Sequence, residues 1–144
     1  VIAIDTGFLL ALLDARDQHH AAAMRWQHSI TEGWITTWPV ATELCHLVAN
    51  RLSSTTAIAC MQELTHGGIR LWDIPALQAR QIPALMKRYA NLPMDLADAS
   101  LVLLAGHLGH GRILTTDERD FGSYRWKDRK PFRNLLSVGD KPTA

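Results

Sequence analysis

Short apolar runs rich in β-branched residues alternate along this chain with longer stretches of helical spacing, and that alternation narrows the fold more than any other feature. Residues 1–4 read as a buried strand ending at Asp5, and residues 8–13 as a helix packed on it. Residues 17–32 read as a second helix with Asp17 as its N-cap and Gly33 closing it. A strand follows over 34–37, and Pro39 suits the first turn of the next helix. Residues 53–56 separate that helix from another over 57–65, which Gly67 and Gly68 terminate. Residues 69–74 alternate as a third strand, and Pro75 and Pro83 bracket a helical segment reaching Tyr89, with Pro83 a candidate break. Pro93 precedes a helix over 94–108, ended by glycines at 109 and 111 before a strand over 112–115. The pattern predicts an α/β fold of three layers, α/β/α, around a mostly parallel sheet of four to five strands.

At 144 residues and 47% hydrophobic, the chain suits one domain over 1–144 that buries about two thirds of the surface its unfolded form exposes. The apolar start has no basic leader and carries Asp5 within it, and no other uncharged run approaches the ~20 residues of a membrane span, so a cytoplasmic protein is expected. Cys45 and Cys60 have no CxxC spacing and read as buried free thiols.

Four acidic signatures carry the chemistry. They are Asp5 in VIAIDTG, Glu43 in PVATELCHLVANRL, Asp95 and Asp98 in PMDLADASLVLLA, and Asp117 and Asp120 in RILTTDERDF. Asp5 and Asp117 each follow a strand, and ligands of open α/β sheets bind at the carboxyl ends of strands. Glu43 borders an apolar stripe of Val40, Leu44, Leu47 and Val48, early in its helix. Asp98 shares a helix face with Leu101, Val102 and Ala105, which marks it as buried, whereas Asp95 suits the N-cap of that helix. Each acid taken alone has an ordinary structural explanation, as a cap, a turn residue or a solvated helix position. Together they need a neutralising partner, and a hard divalent cation is the commonest.

The ordered set IDTGFLLALLD, DQHH, TELCHLV, PMDLADASLVLLA and ILTTDERDF resembles the PIN-domain nucleases, most closely the VapC-type toxins of bacterial toxin-antitoxin pairs. The resemblance implies a PIN-like fold and an acidic quartet of Asp5, Glu43, Asp98 and Asp117 binding Mg²⁺ or Mn²⁺ for RNA cleavage, with Asp95 and Asp120 at auxiliary positions. It also implies a small antitoxin partner and a homodimer. The family often has Ser after the first Asp-Thr, and here Gly7 stands there, leaving Thr6 as the candidate hydroxyl.

This chemistry fits the residues. A phosphodiester repels hydroxide, and a cation held loosely by a few carboxylates both screens that charge and acidifies water. Thr115 and Thr116 offer hydroxyls to a neighbouring carboxylate or a metal-bound water. With the six named acids set aside, eight others face 15 Lys and Arg, an excess that would attract a polyanion. Residues 119–133 interleave aromatics with bases, making Arg119, Arg125, Trp126 and Lys127 candidate RNA contacts, or else part of a last strand. The paired His19 and His20, and His107 and His110, lack a zinc frame. The Asp-Thr-Gly triplet of aspartic proteases belongs to all-β folds, against the helices that follow Gly7. Two alternatives to a toxin stand: a catalytically silent PIN-like module that binds a partner, and a PIN nuclease of RNA processing with no antitoxin.

Overall fold

The computed structural model describes residues 1–137; residues 138–144 of the expected single domain lie outside the described residues. Five parallel strands form one sheet in the order β3 (Arg70–Trp72), β2 (Trp34–Thr37), β1 (Ile2–Ile4), β4 (Arg112–Leu114), β7 (Arg133–Asn134). β5 (Arg125–Trp126) and β6 (Lys130–Pro131) make a separate antiparallel hairpin. Between the strands run α1 (Thr6–Leu13), α2 (His20–Ser29), α3 (Trp38–Arg51), α4 (Ser54–Thr65), α5 (Ala76–Ala79), α6 (Ile82–Arg88), α7 (Leu96–Leu108) and α8 (Glu118–Ser123).

The strand order reverses direction at β1. The chain steps outward from β1 to β2 to β3, then returns to place β4 on the other side of β1. Right-handed crossovers therefore put the helices before and after the reversal on opposite faces, giving the expected three layers. β1 and β4 flank the switch point, where loops leaving neighbouring strands diverge and open a crevice. Asp5 and Asp117 follow those two strands.

The core is apolar because the central strands are covered on both faces. Ile2, Ala3, Ile4, Ile113 and Leu114 are all buried, as are Phe8, Leu44, Leu101 and Leu104 from the helices above and below them. Buried hydroxyls then tie the strand ends together. Thr36 Oγ1 donates to the Ile4 carbonyl at 2.6 Å, and Thr37 Oγ1 lies 2.6 Å from Ser100 Oγ on α7.

Several expected boundaries shift for local reasons. The second helix begins at His20 rather than 17, because Asp17 folds its carboxylate onto the His19 N–H at 2.8 Å in a turn instead of capping. Ser53 caps α4 through the Thr56 N–H, so that helix starts three residues earlier than expected. Pro83 sits in the first turn of α6, so it opens a helix there, and the bracketed segment is split into α5 and α6. The apolar residues of 41–48 and 57–64 join α3 and α4 to the core, with Ala41, Leu44, Val48, Ala57 and Leu64 all buried.

Gly111 allows β4 to pass close to the hairpin. A Cβ there would meet Trp126 Nε1 at 2.5 Å and the Pro131 carbonyl at 2.8 Å, which are themselves hydrogen-bonded at 3.0 Å. Gly111→Ala is expected to lower unfolding free energy by about 1–3 kcal/mol through this overpacking. Urea unfolding with an unchanged m-value checks it, and an unchanged midpoint would contradict it.

Candidate active site

Asp5 is the N-cap of α1, so the strand end fixes its backbone and the helix end fixes its side chain. One carboxylate oxygen accepts the Thr6 N–H at 2.7 Å and the other accepts the Thr115 hydroxyl at 2.8 Å. Thr115 is set in turn by Asn134 on β7, whose amide group donates to the Thr115 carbonyl and accepts from its N–H. The same Thr115 hydroxyl accepts the Asp117 N–H at 3.0 Å, so one side chain links the acids that follow β1 and β4.

The other acids arrive on helix ends. Asp95 caps α7 by accepting the Asp98 N–H at 2.8 Å, and Asp98 reaches back toward the Asp95 N–H at 3.5 Å, closing a capping box. Tyr124, fully buried, donates its hydroxyl to the same Asp98 oxygen at 2.9 Å. Both donors fall on Oδ2, and Oδ1 has no donor among the described residues. Asp117 caps α8 through the Asp120 N–H at 3.1 Å. Glu43 enters from α3, one turn into the helix.

All six acids line one cleft of about 530 Å³. Thr6, Gly7 and Thr116 also line it, and so do Asp17, Gln18, His19, Leu47 and Arg51, which sequence reasoning did not connect to the site. Arg51 carried a readable signal, since Glu43, Leu47 and Arg51 recur every four residues on one face of α3. Tyr124 and Asn134 carried none, because their roles rest on contacts across the sheet.

Crowding shows in the proton affinities. Burial pushes Asp5, only 7% exposed, up to about 6 against the pull of its two hydrogen bonds, and Glu43 and Asp117 add repulsion. Burial pushes Asp98 up to about 8, with Asp95 and Asp5 adding to it and Tyr124 opposing. Glu43 is raised by burial, then by Asp95. The neighbouring Thr6 hydroxyl opposes that rise, and it is buried with no hydrogen-bond partner within bonding distance.

These features suit a loosely held divalent cation. Each Asp5 oxygen keeps a lone pair beyond its single donor, Asp98 Oδ1 is unengaged, and Thr6 presents an orphaned buried hydroxyl to the same space. Among the described residues no three His, Cys, Asp or Glu side chains close into a ready ligand cage. Mg²⁺ keeps several of its waters and binds through one or two carboxylates, so an open acidic cradle fits it better than a cage would.

Residues 2–127 match the PIN domain family. This chain belongs to that family. A protein of Mycobacterium tuberculosis named Ribonuclease VapC26 is 33% identical over 122 residues, spanning 85% of this chain and 90% of its own. The crystal structure of Mycobacterium tuberculosis VapC20, described as a Sarcin-Ricin loop cleaving toxin, matches with a TM-score of 0.76 at 22% identity. It covers 83% of this chain and 92% of that one, a likeness that shows the fold alone.

Against the PIN-family pattern, position 7 has a steric explanation. A Cβ on Gly7 would stand 2.2 Å from Thr116 Oγ1, so the Thr116 hydroxyl occupies the space a Ser at 7 would need. The proposed RNA strip is half dismantled. Phe121, Tyr124 and Trp126 are buried, and the Trp126 indole is tied to Pro131, so Trp126 is unavailable for base stacking. Lys127 and Lys130 lie over its ring instead. The Arg125 guanidinium is turned onto the carbonyls of Gly122 and Tyr124, while Arg119 and Lys127 are exposed.

Gly7→Ser is expected to destabilise the protein by about 1–3 kcal/mol, and Thr116→Ala in the same chain to recover most of that loss. A double-mutant cycle on unfolding free energies checks this, and additive effects would contradict it. A second expectation concerns pH. The fold holds protons on Asp5 and Asp98 that the unfolded chain releases near 3.8, so the stability they contribute is full below that pH. It is lost as pH rises through about 6 and then about 8. The metal-free melting temperature should therefore fall across that window, and Asp98→Asn should flatten the upper part. A melting temperature that rises with pH there would contradict it.

Proposed function

We propose that this chain is a metal-dependent endoribonuclease that hydrolyses RNA phosphodiester bonds, and that it serves as the toxin of a toxin-antitoxin pair. The observation that carries this reading is convergence. Acids from four separate stretches of sequence line one cleft at the switch point of a PIN fold. The relative at 33% identity is named a ribonuclease, which supports the substrate class.

Asp5 and Asp98 would hold Mg²⁺ or Mn²⁺ most directly, with Glu43 and Asp117 completing the set and Asp95 and Asp120 beside them. A bound ion supplies an acidified water and screens the phosphate's charge. The chain's own work is placement. Thr6 and Thr115 fix both oxygens of Asp5, and Tyr124 fixes Asp98 by one oxygen, so the carboxylates are oriented before any ligand arrives. Attack by water in line with the leaving oxygen would give a 5′-phosphate and a 3′-hydroxyl.

The partners follow from the same reading: RNA as substrate, a small antitoxin protein and a second copy of the chain as a homodimer, all in the cytoplasm. Exposed apolar side chains such as Ile58, 62% exposed, and Leu77, 73% exposed, are available to protein partners. No helix among the described residues is long and apolar enough to cross a membrane.

Asp5→Asn and Asp98→Asn should each abolish RNA cleavage while leaving the circular dichroism of the folded protein intact. Wild-type cleavage rates in either variant would overturn the proposal. Mg²⁺ or Mn²⁺ should also raise the wild-type melting temperature, and the absence of any effect would favour the partner-binding module instead.

A further inference from the structure

Seven carboxylates line this cleft, the six named acids and Asp17, and they make a poor reception for a polyanion. Even with a cation at the centre, an RNA strand entering the cleft brings phosphates on either side of the scissile one, and these meet uncompensated negative charge. Among the described residues that line the cleft, one side chain has a fixed positive charge, and it is Arg51.

Its position is set by α3. Glu43, Leu47 and Arg51 all line the cleft and follow one another at four-residue spacing, so Arg51 lies about 12 Å along the helix axis from Glu43. Leu47 lines the cleft one turn from each of them. Arg51 is therefore in the same crevice as the acids but beyond reach of the reacting atoms. It is exposed and engages no carboxylate in an ion pair among the described residues, although Asp17 and Asp95 also line the cleft. Gln18 and His19, from the turn before α2, line the same cleft and offer further donors.

A structural explanation competes. Arg51 is the last residue of α3, where a cation is stabilised by the helix dipole wherever it points. That accounts for a base at this position, but not for its place in the acidic cleft. A guanidinium left without a carboxylate partner beside several acids keeps its fork of donors open for an incoming group, and phosphate is the anion it matches best.

We propose that Arg51 is a substrate-positioning residue that binds a backbone phosphate of single-stranded RNA away from the scissile bond. The proposal rests on the ribonuclease reading above. It assigns the cleft a direction, with the acids at the reacting end and Arg51 at the end that grips the strand. Because the contact is with backbone, it would strengthen binding to every RNA sequence and leave base preference to other residues.

The test compares Arg51→Gln, Arg51→Lys and, as a charge-matched control away from the cleft, Arg70→Gln at the exposed sheet edge. Cleavage is followed on a mixed-sequence pool of labelled single-stranded oligoribonucleotides with Mn²⁺. Arg51→Gln should raise KM about tenfold and leave kcat within roughly twofold, as expected for loss of one charge-assisted contact remote from the reacting atoms. Binding is measured by fluorescence anisotropy in the Asp98→Asn background. There Arg51→Gln should reduce the slope of log K against log salt by about 0.7, the value for one phosphate on a single strand, and Arg51→Lys should keep the wild-type slope.

A merely structural Arg51 would alter melting temperature without moving that slope. If Arg51→Gln leaves KM and the salt slope unchanged, or matches Arg70→Gln in both, the positioning role is overturned while the nuclease reading stands. Equal losses in kcat and kcat/KM would also overturn it, for they would place Arg51 in the reaction itself. A wild-type protein that neither cleaves nor binds the pool would bring down the ribonuclease reading and this proposal with it.

Discussion

Asp5 is a carboxylate that the fold has almost removed from water and then held at both oxygens. It ends the central strand, caps the first helix and accepts a hydroxyl from the neighbouring strand's loop, so three elements share one group. Two hydrogen bonds do not offset the cost of burying a charge beside other carboxylates, and its proton affinity rises accordingly. A site built around such a group is stable with a proton or with a cation. This single desolvated acid therefore links the sheet's topology to the chemistry the cleft can support.

The surrounding acids show that capping leaves a carboxylate free to take a ligand. Asp5, Asp95 and Asp117 each occupy an N-cap, where a carboxylate accepts a backbone N–H and stabilises a helix by about 1 kcal/mol. A cap uses one lone pair of one oxygen and fixes the rotamer. The remaining lone pairs stay available, already aimed. A cap and a ligand are thus compatible uses of one side chain, and the helix ends serve as rigid mounts for the cleft.

Much of this was readable in the sequence, for reasons that differ by residue. Strands β1, β2 and β4 announced themselves by β-branched residues and β3 by alternation, and Asp5 and Asp117 by falling just beyond the ends of two of them. Asp95 and Asp98 were separable because a cap and the residue three on have distinct spacing. β7 and the β5–β6 hairpin were not visible, since two-residue strands carry no periodicity. The aromatic residues of 121–132 left an RNA strip and a last strand both open, because interleaved charge resembles an exposed face, whereas Phe121, Tyr124 and Trp126 are buried. Tyr124 and Asn134 orient the acids through contacts between distant segments, which local pattern does not encode.

The central claim is that a divalent cation binds where these carboxylates converge. A crystal grown with Mn²⁺ and measured at the manganese absorption edge tests it without reference to activity. Cation binding there requires an anomalous peak in the cleft within about 2–2.3 Å of an oxygen of Asp5 or Asp98. A well-diffracting crystal with no peak there, or with manganese only at a site remote from both residues, would contradict it.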